Sequence, residues 1–438
     1  GKKVLIMGLG IQGGGVGDTQ TFVQAGAHVT VTDLKSASQL SLSLAKLKNQ
    51  PIRLVLGRHE KADFISPDLI IRNPDVPQNS PYLELARNHR IPVKMDSSLF
   101  ATYCPLPIIG VTGTRGKTTT TFMIYELFKT LFPEPVFLGG NIPGSATLEL
   151  LHELNSATGT VVLELSSWEL QGWYDEKISP HIAVFTNFSE DHLNRYESMS
   201  AYFSDKLTIT QFQKPTDWLI LNRDNSWSDQ FAAATPAQIS WFSAKDLPDD
   251  IQLAIPGDHN RANAAAALAV AKIINLNFHQ ALTILQGFRG VPFRLQTIAT
   301  IDGVRFINDT TATTPTASMT ALNSIPNPVI LLAGGADKKL NLEPFAQLIA
   351  AKVKAVILLE GTATDNLEQA IIAARGQIKL HGRFSQFPQA IKTAFKLAQA
   401  GDTILLSPGC ASFGMFKNEF DRGEQFNQIV NNLNHHDI

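Results

Sequence analysis

Residues 108 to 121 read IIGVTGTRGKTTTT, an apolar run that passes through a glycine-rich turn into a helical segment. Glycines let backbone N–H groups turn toward an anion, and the first turn of the following helix carries a partial positive charge. The lysine can reach outer phosphates, and a threonine hydroxyl can ligate Mg²⁺. The stretch therefore predicts a phosphate-binding loop on a parallel α/β sheet, although Val111 stands where the strict hydrolase spacing has a glycine. A glycine-rich turn with a surface lysine is the alternative interpretation.

Short β-rich runs alternate with helical runs on both sides of this loop. Predicted strands lie near residues 4–7, 29–32, 160–165, 304–307 and 329–333. Such alternation is typical of parallel sheets covered by helices. Breaks rich in proline or glycine at 104–107 and 290–292 interrupt the pattern. We therefore expect three successive α/β domains with mainly parallel sheets: a Rossmann-like domain over 1–100, a central P-loop-type ATPase domain over 101–291 and a second Rossmann-like domain over 292–438.

The composition fits a globular protein with small-molecule partners. Of 438 residues, 44% are hydrophobic and 17% are charged, and the net charge of −2 implies no general attraction to nucleic acid or to an anionic membrane. Cys104 and Cys410 are too few for a disulfide framework, which favours a reducing compartment. No apolar run approaches the ~20 residues of a membrane span, and the first residues lack a signal-peptide core. We therefore expect a cytoplasmic protein with no nucleic-acid or membrane partner.

A second glycine motif, Gly8-Leu9-Gly10-Ile11-Gln12-Gly13, lies near the first residues of the chain. It matches the dinucleotide fingerprint, and Asp33 follows the next strand, where an acid can bind ribose hydroxyls. Any strand-to-helix turn that faces a diphosphate needs the same glycines, however, including one that binds a UDP-sugar. Three interpretations stay open at this point: a UDP-type ligand, the nicotinamide cofactor of an oxidoreductase, and a purely structural turn.

Two acidic motifs follow strands in the middle segment. Glu164 ends an apolar strand at the sheet edge that the phosphate loop also occupies, so it could hold Mg²⁺ together with Thr118. His192 closes the run Glu190-Asp191-His192 after the next strand, but a lone histidine is more often structural. Lys206, by itself, would be interpreted as a surface lysine.

Further polar positions occur in the last part of the chain. Asn263 lies in an Ala-rich helical stretch and Arg294 follows a Gly-Val-Pro break, where an amide suits an adenine edge and an arginine suits phosphates. Helix capping or a surface ion pair would explain either residue equally well. Three more loops each follow a strand and should converge on one rim that recognises a small carboxylate-bearing substrate, with ordinary turns as the alternative. These loops are 308–315, 334–338 and 407–413.

The order of these loops is itself a signature. The runs are Thr-Gly-Thr-x-Gly-Lys-Thr, Glu-Leu-Ser-Ser, Asn-x-x-x-Asp-His, a downstream Lys, His-Asn-x-x-Asn, Pro-x-Arg, Asn-Asp-x-x-Ala-Thr, Gly-Gly-x-Asp-Lys and Ser-Pro-x-x-Ala-Ser. In this order the chain resembles the Mur ligase family end to end. The resemblance implies a monomeric, ATP-dependent amide-bond ligase of peptidoglycan precursor synthesis that uses ATP and two Mg²⁺ ions. The run at 407–413 is most similar to the branch that adds D-glutamate to UDP-N-acetylmuramoyl-L-alanine.

The resemblance also implies roles for individual residues. Lys117, Asn141, His192 and a carbamylated Lys206 are expected to be catalytic. One Mg²⁺ would be held by Thr118 and Glu164, and the other by His192 and the carbamate of Lys206. The expected ATP contacts are Gly113, Thr114, Arg115, Gly116, Lys117, Thr118, Thr119, Asn263, Arg294 and Asp309. The expected contacts to the UDP substrate are Gly10, Ile11, Gln12, Asp33, Asn73, Asn141 and Ser166, and those to glutamate are Thr313, Lys338, Ser412 and Phe413.

Several positions depart from the family pattern. Thr311 replaces a lysine beside the amino-acid pocket, which removes a positive charge and leaves open whether D-glutamate, L-glutamate or another amino acid is added. Asp75 replaces a glycine near the expected uracil site, Phe293 a histidine before an arginine, and Glu169 a substrate-contacting glutamine. None of these residues belongs to the phosphate loop. A regulatory ATP-binding module without catalysis is the further alternative to a ligase.

Overall fold

A computed structural model describes residues 1–11, 13–142, 145–154, 158–191, 196–255, 257–326, 328–338, 340–412 and 414–433. Within these residues the strands form three sheets, and the chain divides into two compact units, Gly1–Phe288 and Arg289–Ile438. The first unit holds two of the sheets and the second unit holds the third. None of the helices in the described part of the chain is both long and apolar enough to cross a membrane.

The first sheet is parallel and doubly wound. Its elements are β1 (Lys3–Met7), α1 (Gly14–Gln24), β2 (His28–Asp33), α2 (Ser41–Lys46), β3 (Ile52–Leu56), β4 (Leu69–Arg72), α3 (Pro81–Asn88), β5 (Val93–Lys94) and α4 (Asp96–Tyr103). The strand order is β3-β2-β1-β4-β5, so the order reverses between β1 and β4. Open α/β sheets bind ligands beyond the strand ends at such a reversal. The turn after β1, which carries Gly8 and Gly10, lies there.

The second sheet carries the phosphate loop at its centre. Its elements are β6 (Ile108–Thr112), α5 (Lys117–Leu131), β7 (Val136–Gly140), α6 (Leu150–Glu153), β8 (Thr160–Glu164), α7 (Ser167–Glu176), β9 (Ile182–Phe185), α8 (Met199–Gln211), β10 (Trp218–Asn222), α9 (Ser228–Ala233), β11 (Gln238–Phe242), α10 (Asp258–Ile273) and α11 (Phe278–Gln286). The order is β11-β10-β9-β6-β8-β7 and the pairs are parallel. Residues of β6 are buried on both faces, which explains its continuous apolar sequence. The loops that follow β6, β8 and β9 therefore lie side by side.

The third sheet differs from the others in one pairing. Its elements are β12 (Gln296–Ile301), β13 (Val304–Asn308), α12 (Pro315–Ser324), β14 (Val329–Gly334), α13 (Glu343–Lys352), β15 (Ala355–Leu359), α14 (Thr364–Ala373), β16 (Leu380–Phe384), α15 (Phe387–Leu397), β17 (Thr403–Leu406) and α16 (Glu419–Asn431). The order is β12-β13-β17-β14-β15-β16, and β12 runs antiparallel to β13 because a two-residue turn at Asp302 and Gly303 joins them. The remaining pairs are parallel, so the C-terminal ends of strands β13, β14 and β17 lie side by side at one edge of the sheet.

The predicted fold class, three α/β domains with mainly parallel sheets, is confirmed. Strands predicted near 4–7, 160–165 and 329–333 occur at Lys3–Met7, Thr160–Glu164 and Val329–Gly334. The pattern that identified them is the run of consecutive apolar residues that a strand needs when helices cover both faces of its sheet. The antiparallel edge strand β12 was outside the prediction, because its residues are only partly buried and lack such a run.

Candidate active site

The phosphate loop joins the centre of the second sheet to α5. Its two glycines, Gly113 and Gly116, have φ angles of 148° and 79°, which side chains disfavour. A Cβ atom at Gly113 would lie 2.0 Å from Thr186 Oγ1, and one at Gly116 would lie 2.4 Å from Asn263 Oδ1. Both positions therefore require glycine. The first turn of α5, which no side chain of the described residues caps, presents the helix N terminus to the loop.

Residues after β9 brace the loop. The Thr114 N–H donates to Asn187 O at 2.8 Å, and the Arg115 N–H donates to Asn187 Oδ1 at 2.9 Å. The Thr186 hydroxyl in turn donates to Arg115 O at 2.7 Å. These hydrogen bonds fix the conformation of the loop, and they use the backbone N–H groups of Thr114 and Arg115. The helix start and the lysine are the remaining parts of the predicted phosphate site.

Two lysines converge on this loop. Lys117 Nζ donates to Thr114 O at 3.2 Å, and Lys206 Nζ, on α8, donates to Gly113 O at 2.7 Å. Lys206 is 1% exposed, and its Nζ lies 4.9 Å from the centre of the Tyr202 ring. Burial, together with the positive charge of Lys117, holds the pKa of Lys206 well below its usual value. Lys206 is therefore a buried amine at the phosphate loop rather than a surface lysine.

Glu164 and Asn141 form a second group beside the loop. Glu164 is the last residue of β8, pairs in register with Val111 of β6 and is 3% exposed. Its Oε1 accepts from Asn141 Nδ2 at 3.2 Å, and its carbonyl oxygen accepts from the Asn141 N–H at 2.8 Å. The chain can approach this closely because Gly140 precedes Asn141: a Cβ there would lie 2.1 Å from Glu164 O. The predicted catalytic amide and metal-binding carboxylate are thus adjacent.

The residues expected to hold metal ions fit that task only in part. Glu164 is a buried carboxylate beside the phosphate loop, and Thr118 lies in the first turn of α5, so hard oxygen donors flank the expected phosphates. His192 lies outside the described residues. Within the described part of the chain, no group of three or more His, Cys, Asp and Glu side chains is arranged to hold a metal ion. Mg²⁺ here would therefore need phosphate oxygens and waters as further ligands, as is usual for this ion.

A cavity of about 440 Å³ opens beside the phosphate loop. Its volume is within the range of small-ligand sites. The amide of Asn263, on α10, is already engaged: its Oδ1 accepts from Thr120 Oγ1 at 3.2 Å and its Nδ2 donates to Asn260 Oδ1 at 3.3 Å. Asn263 thus packs the wall behind Gly116. The cavity is lined by Arg115, Gly116, Thr186, Asn187, Asn222, Phe242, His259, Ala262 and Asn263.

The turn after β1 is shaped by Asp33. One carboxylate oxygen of Asp33 accepts from the Gly10 N–H at 3.1 Å and the other from the Lys35 N–H at 2.8 Å. Asn73, after β4, lies against the same turn, because its Nδ2 would be 3.5 Å from a Cβ at Gly10. Ile11 is 48% exposed next to them. Gln12, which was also expected here, lies outside the described residues.

Ser166 has a structural partner. It is the N-cap of α7, and its hydroxyl accepts from the Glu169 N–H while Glu169 Oε2 accepts from the Ser166 N–H. Burial, reinforced by the nearby Asp96 carboxyl, raises the pKa of Glu169 to about 8. Glu169 is thus neutral at pH 7 and resembles the glutamine that it replaces in hydrogen-bonding capacity.

In the second unit, Asp309 follows β13. Its Oδ2 accepts from Ser407 Oγ at 2.7 Å and its Oδ1 accepts from the Leu295 N–H at 3.1 Å. Burial raises the pKa of Asp309 to about 6, and the nearby Arg294 opposes the rise. Asp309 therefore ties the segment that carries Arg294 to the end of β13. The two expected ATP contacts of this unit lie together.

The expected glutamate contacts also converge. Lys338 Nζ donates to Thr313 Oγ1 at 2.8 Å. The backbones of Ala336 and Ala411 exchange two hydrogen bonds, so the loop that carries Ser412 lies beside the loop that carries Lys338. Ser412 is 2% exposed, and its hydroxyl has no hydrogen-bond partner among the described residues. Phe413 lies outside them. The pocket therefore offers an amine and two hydroxyl groups.

Arg422 is a functional candidate that the sequence reasoning missed. It lies on α16, is fully buried, and donates through Nε to Thr310 Oγ1 at 2.8 Å and through Nη2 to Thr310 O at 2.9 Å. Its Nη1 has no partner among the described residues, and its charge contributes to the lowered pKa of Lys338, after burial. The sequence does contain one indication of a special role for Arg422: it lies one turn before Phe426 and two turns before Val430. Arg422 is therefore an arginine within the apolar stripe of a helix.

Two departures from the family pattern acquire a structural explanation. The hydroxyl of Thr311 is engaged by the backbone, because it donates to Phe293 O at 2.8 Å. The Phe293 ring packs against Gly423, where a Cβ would lie 2.4 Å from Cδ1 of the ring. Phe293 thus contacts both Thr311 and Gly423, which lies on α16. The Asp75 N–H donates to Asn73 Oδ1 at 3.0 Å, in the loop after β4.

Comparisons with known proteins agree with this arrangement. Residues 111–247 match the Mur ligase middle domain, and residues 293–410 match the Mur ligase glutamate ligase domain. The UDP-N-acetylmuramoylalanine–D-glutamate ligase of Roseiflexus sp. is 41% identical, over 98% of this chain and 98% of its own. The enzyme of the same name from Symbiobacterium thermophilum is 34% identical, over 99% and 98%. The crystal structure of the UDP-N-acetylmuramate–alanine ligase of Thermotoga maritima shares the fold, with a TM-score of 0.54 at 17% identity over 98% of this chain and 99% of its own.

Proposed function

The chain belongs to the Mur ligase family, and we propose that it is an ATP-dependent, ADP-forming ligase that adds D-glutamate to UDP-N-acetylmuramoyl-L-alanine. The reaction makes an amide bond in peptidoglycan precursor synthesis. The observation that carries the proposal is the group of Lys117, Lys206, Asn141 and Glu164 around one phosphate loop. Relatives named for this reaction match nearly the whole chain.

The chemistry accounts for the positive charge at the loop. A carboxylate is a poor electrophile, so the L-alanyl carboxylate first attacks the γ-phosphorus of ATP, which gives an acyl phosphate and ADP. The amine of glutamate then attacks the acyl carbon, and the tetrahedral intermediate collapses to the amide and inorganic phosphate with loss of a proton from nitrogen. Two anions must meet in the first step. Lys117, which reaches over the loop, offsets their repulsion.

Mg²⁺ would supply charge neutralisation and orient the phosphate oxygens. Thr118 and Glu164 are suited to hold one ion beside the loop, and we assign His192 and a carbamylated Lys206 to a second. Asn141 is assigned to the reacting carboxylate, because its amide is held next to Glu164. An amide at this point can donate to an oxygen of the acyl group without adding a further negative charge.

Carbamylation explains why a lysine lies in a metal site. A neutral amine attacks CO₂ and loses a proton, which converts Lys206 into a carbamate with two oxygen ligands on a long stem. Burial lowers the pKa of the Lys206 amine well below its usual value, which favours the neutral form that reacts with CO₂. An ammonium group would neither react with CO₂ nor ligate a cation.

The remaining substrate contacts divide among three segments. We assign residues 1–100 to the UDP substrate, through Gly10, Ile11, Gln12, Asp33 and Asn73, with Ser166 contributing from the central segment. Residues 101–291 would bind ATP through the loop at 113–119 and through Asn263. In residues 292–438 we assign Arg294 and Asp309 to contacts with ATP, and the loops with Thr313, Lys338 and Ser412 to the amino acid. A UDP ligand is favoured over a nicotinamide cofactor in the first segment, because the phosphate loop supports phosphoryl transfer rather than hydride transfer.

The amino-acid pocket supports a dicarboxylate. Lys338 supplies one positive charge, Thr313 and Ser412 supply hydroxyls, and Phe413 belongs to the same loop by its sequence. Arg422 Nη1 supplies a second positive charge close to Lys338, which offsets the family lysine that Thr311 replaces. We therefore favour D-glutamate, as in the named relatives, with L-glutamate as the alternative. The net charge of −2 gives no general attraction to nucleic acid or to an anionic membrane, which supports small-molecule partners, and we propose a cytoplasmic monomer as the family resemblance implies.

A phosphate-release assay tests the proposal. The protein is supplied with Mg²⁺, ATP and UDP-N-acetylmuramoyl-L-alanine, and then with D-glutamate, L-glutamate or meso-diaminopimelate in separate reactions. We expect phosphate release with D-glutamate only, and a product heavier than the UDP substrate by glutamate minus water. Release with L-glutamate would correct the stereochemistry. ATP binding without substrate-dependent release would indicate a binding module instead of a ligase.

A further inference from the structure

A buried arginine joins the UDP-binding segment to the central one. Arg72, the last residue of β4, is 2% exposed. Its Nη1 donates to Val76 O at 2.8 Å, and its Nη2 donates to Gln171 Oε1 at 3.0 Å on α7. One guanidinium group therefore holds both the loop 73–76, which carries the predicted UDP contact Asn73, and a helix of the second sheet.

The chain of hydrogen bonds continues from Gln171 to the buried lysine. Gln171 Nε2 donates to Asp205 Oδ2 at 2.7 Å, and the Tyr196 hydroxyl donates to the same oxygen at 2.8 Å. Asp205 immediately precedes Lys206 on α8, and Lys206 Nζ reaches Gly113 O of the phosphate loop. Holding the carboxylate of Asp205 therefore adds to the core packing that sets the rotation of α8 about its own axis, and with it the direction of the next side chain.

The hydrogen bonds that link Arg72 to Asp205 require a carboxamide side chain between them. Arginine only donates and a carboxylate only accepts, so the side chain between them must accept at one atom and donate at another. Gln171 does both. A glutamate at position 171 would place a second carboxylate next to Asp205. An apolar side chain of the same length would remove this hydrogen-bond partner from both Arg72 and Asp205. Both groups are partly buried, where the loss of a hydrogen bond is strongly destabilising.

We propose that Gln171 is a positioning residue for the ligase reaction. It holds Lys206 in a fixed position relative to the loop 73–76, which carries the predicted contact to the UDP substrate. The inference rests on the proposed function for its kinetic test, but the hydrogen bonds are independent of it. It assigns to Gln171 no contact with substrate, nucleotide or metal. The effect of Gln171 should therefore fall on turnover rather than on the binding of either nucleotide.

Exchange of hydrogen-bond polarity provides the test. Gln171→Met and Gln171→Glu should each lower kcat at least about tenfold, the effect of losing one charged hydrogen bond, with KM for the UDP substrate and for ATP within about twofold. The pair Gln171→Glu with Asp205→Asn restores a donor opposite an acceptor and should recover kcat to within about threefold of the wild-type value. Gln213→Met is the control, because Gln213 is a buried glutamine that bonds Pro180 O and Trp218 O away from Asp205. It should lower the melting temperature and leave kcat unchanged.

A second readout follows Lys206 directly. Lysines are reductively methylated with formaldehyde and cyanoborohydride, and the modified peptides are identified by mass. Lys206 should stay unmodified in the wild-type protein, in Gln213→Met and in the exchanged pair. It should be methylated in the single Gln171 variants. Wild-type kcat and protection in both single variants would overturn the inference. So would a loss that the exchanged pair does not recover, or an equal loss in Gln213→Met. A wild-type protein without glutamate-dependent phosphate release would instead overturn the proposed function, whereas the labelling result would still decide the role of Gln171.

Discussion

Lys206 Nζ lies 2.7 Å from the carbonyl oxygen of Gly113, although 93 residues separate the two in the chain. The contact places an amine of lowered pKa at the first glycine of the phosphate loop. A lysine that served only to cover the surface would not be 1% exposed beside the phosphate loop.

Removal of Lys206 should abolish most activity. In Lys206→Ala we expect kcat to fall by about 100-fold or more, the scale of losing a charge-stabilising group in a closed site. Short carboxylic acids such as acetate should restore part of it by supplying the lost oxygen ligands. Steady-state phosphate release with and without acetate measures both effects, and the exposed Lys214→Ala is the control. Full activity in Lys206→Ala would refute the metal-site assignment.

Lys117→Ala should block phosphoryl transfer while the protein stays folded. The expected loss in kcat is about 100- to 1,000-fold, because Lys117 is a point charge on the outer phosphates. Lys129, on the same helix with its Nζ over the ring of Tyr125, provides the control in Lys129→Ala. Melting temperatures of the two variants should match. Turnover like that of the wild type in folded Lys117→Ala would remove the loop from the reaction.

Glu169 should make stability depend on pH. Burial raises its pKa in the folded protein to about 8, whereas an unfolded glutamate titrates near 4.3. Between these two pKa values the folded protein keeps a proton on Glu169 that the unfolded chain has lost. The contribution of this proton to the free energy of unfolding is therefore complete below about pH 4. It falls by up to ~1.4 kcal/mol per pH unit as the pH rises to about 8. Glu169→Gln should lack this component. Urea unfolding at pH 5.5 and 8.5 checks it, and equal pH slopes in both proteins would count against a buried neutral acid.

Lys338→Ala should weaken glutamate binding selectively. Loss of a charged hydrogen bond of about 1.5 to 3 kcal/mol raises KM for glutamate by roughly 10- to 150-fold, while KM for ATP changes little. Lys354, paired with Asp402 at 2.6 Å in the same unit, gives the control Lys354→Ala. Arg422→Met should resemble Lys338→Ala if its guanidinium completes the pocket. An unchanged glutamate KM in Lys338→Ala would refute the pocket.

The first segment should bind UDP rather than NAD. UDP is expected to raise the melting temperature, and Asp33→Ala should remove the shift, because Asp33 shapes the turn through Gly10. Asp68, which accepts from the Lys3 N–H elsewhere in this segment, supplies the control Asp68→Ala. Stabilisation by NAD with no effect of UDP would reverse the assignment.

How much of this could be predicted from the sequence depends on the range of each interaction. The positions of the phosphate loop, Glu164 and Asp309 were predictable because each lies at or just after the end of a strand of buried apolar residues, and parallel strands bring their ends together. Arg422 and Gln171 were not, because their partners at Thr310 and Asp205 are remote in sequence and no local pattern marks the pairing. The inward direction of Lys206 also depends on how α8 is rotated, which composition alone does not determine.

The brace from Thr186 and Asn187 has a consequence for natural variation. Because Gly113 and Gly116 each abut a neighbouring side chain, any larger residue there collides. The side chain of Arg115 is 76% exposed instead, and it forms an ion pair with Asp191 at 3.5 Å. A library randomised at these three codons and selected for growth should recover glycine alone at two of them and a broad mixture at the third. We therefore expect sequence change at these three codons to be confined to that of Arg115, where the turnover of the recovered variants measures what its side chain contributes as an expected ATP contact.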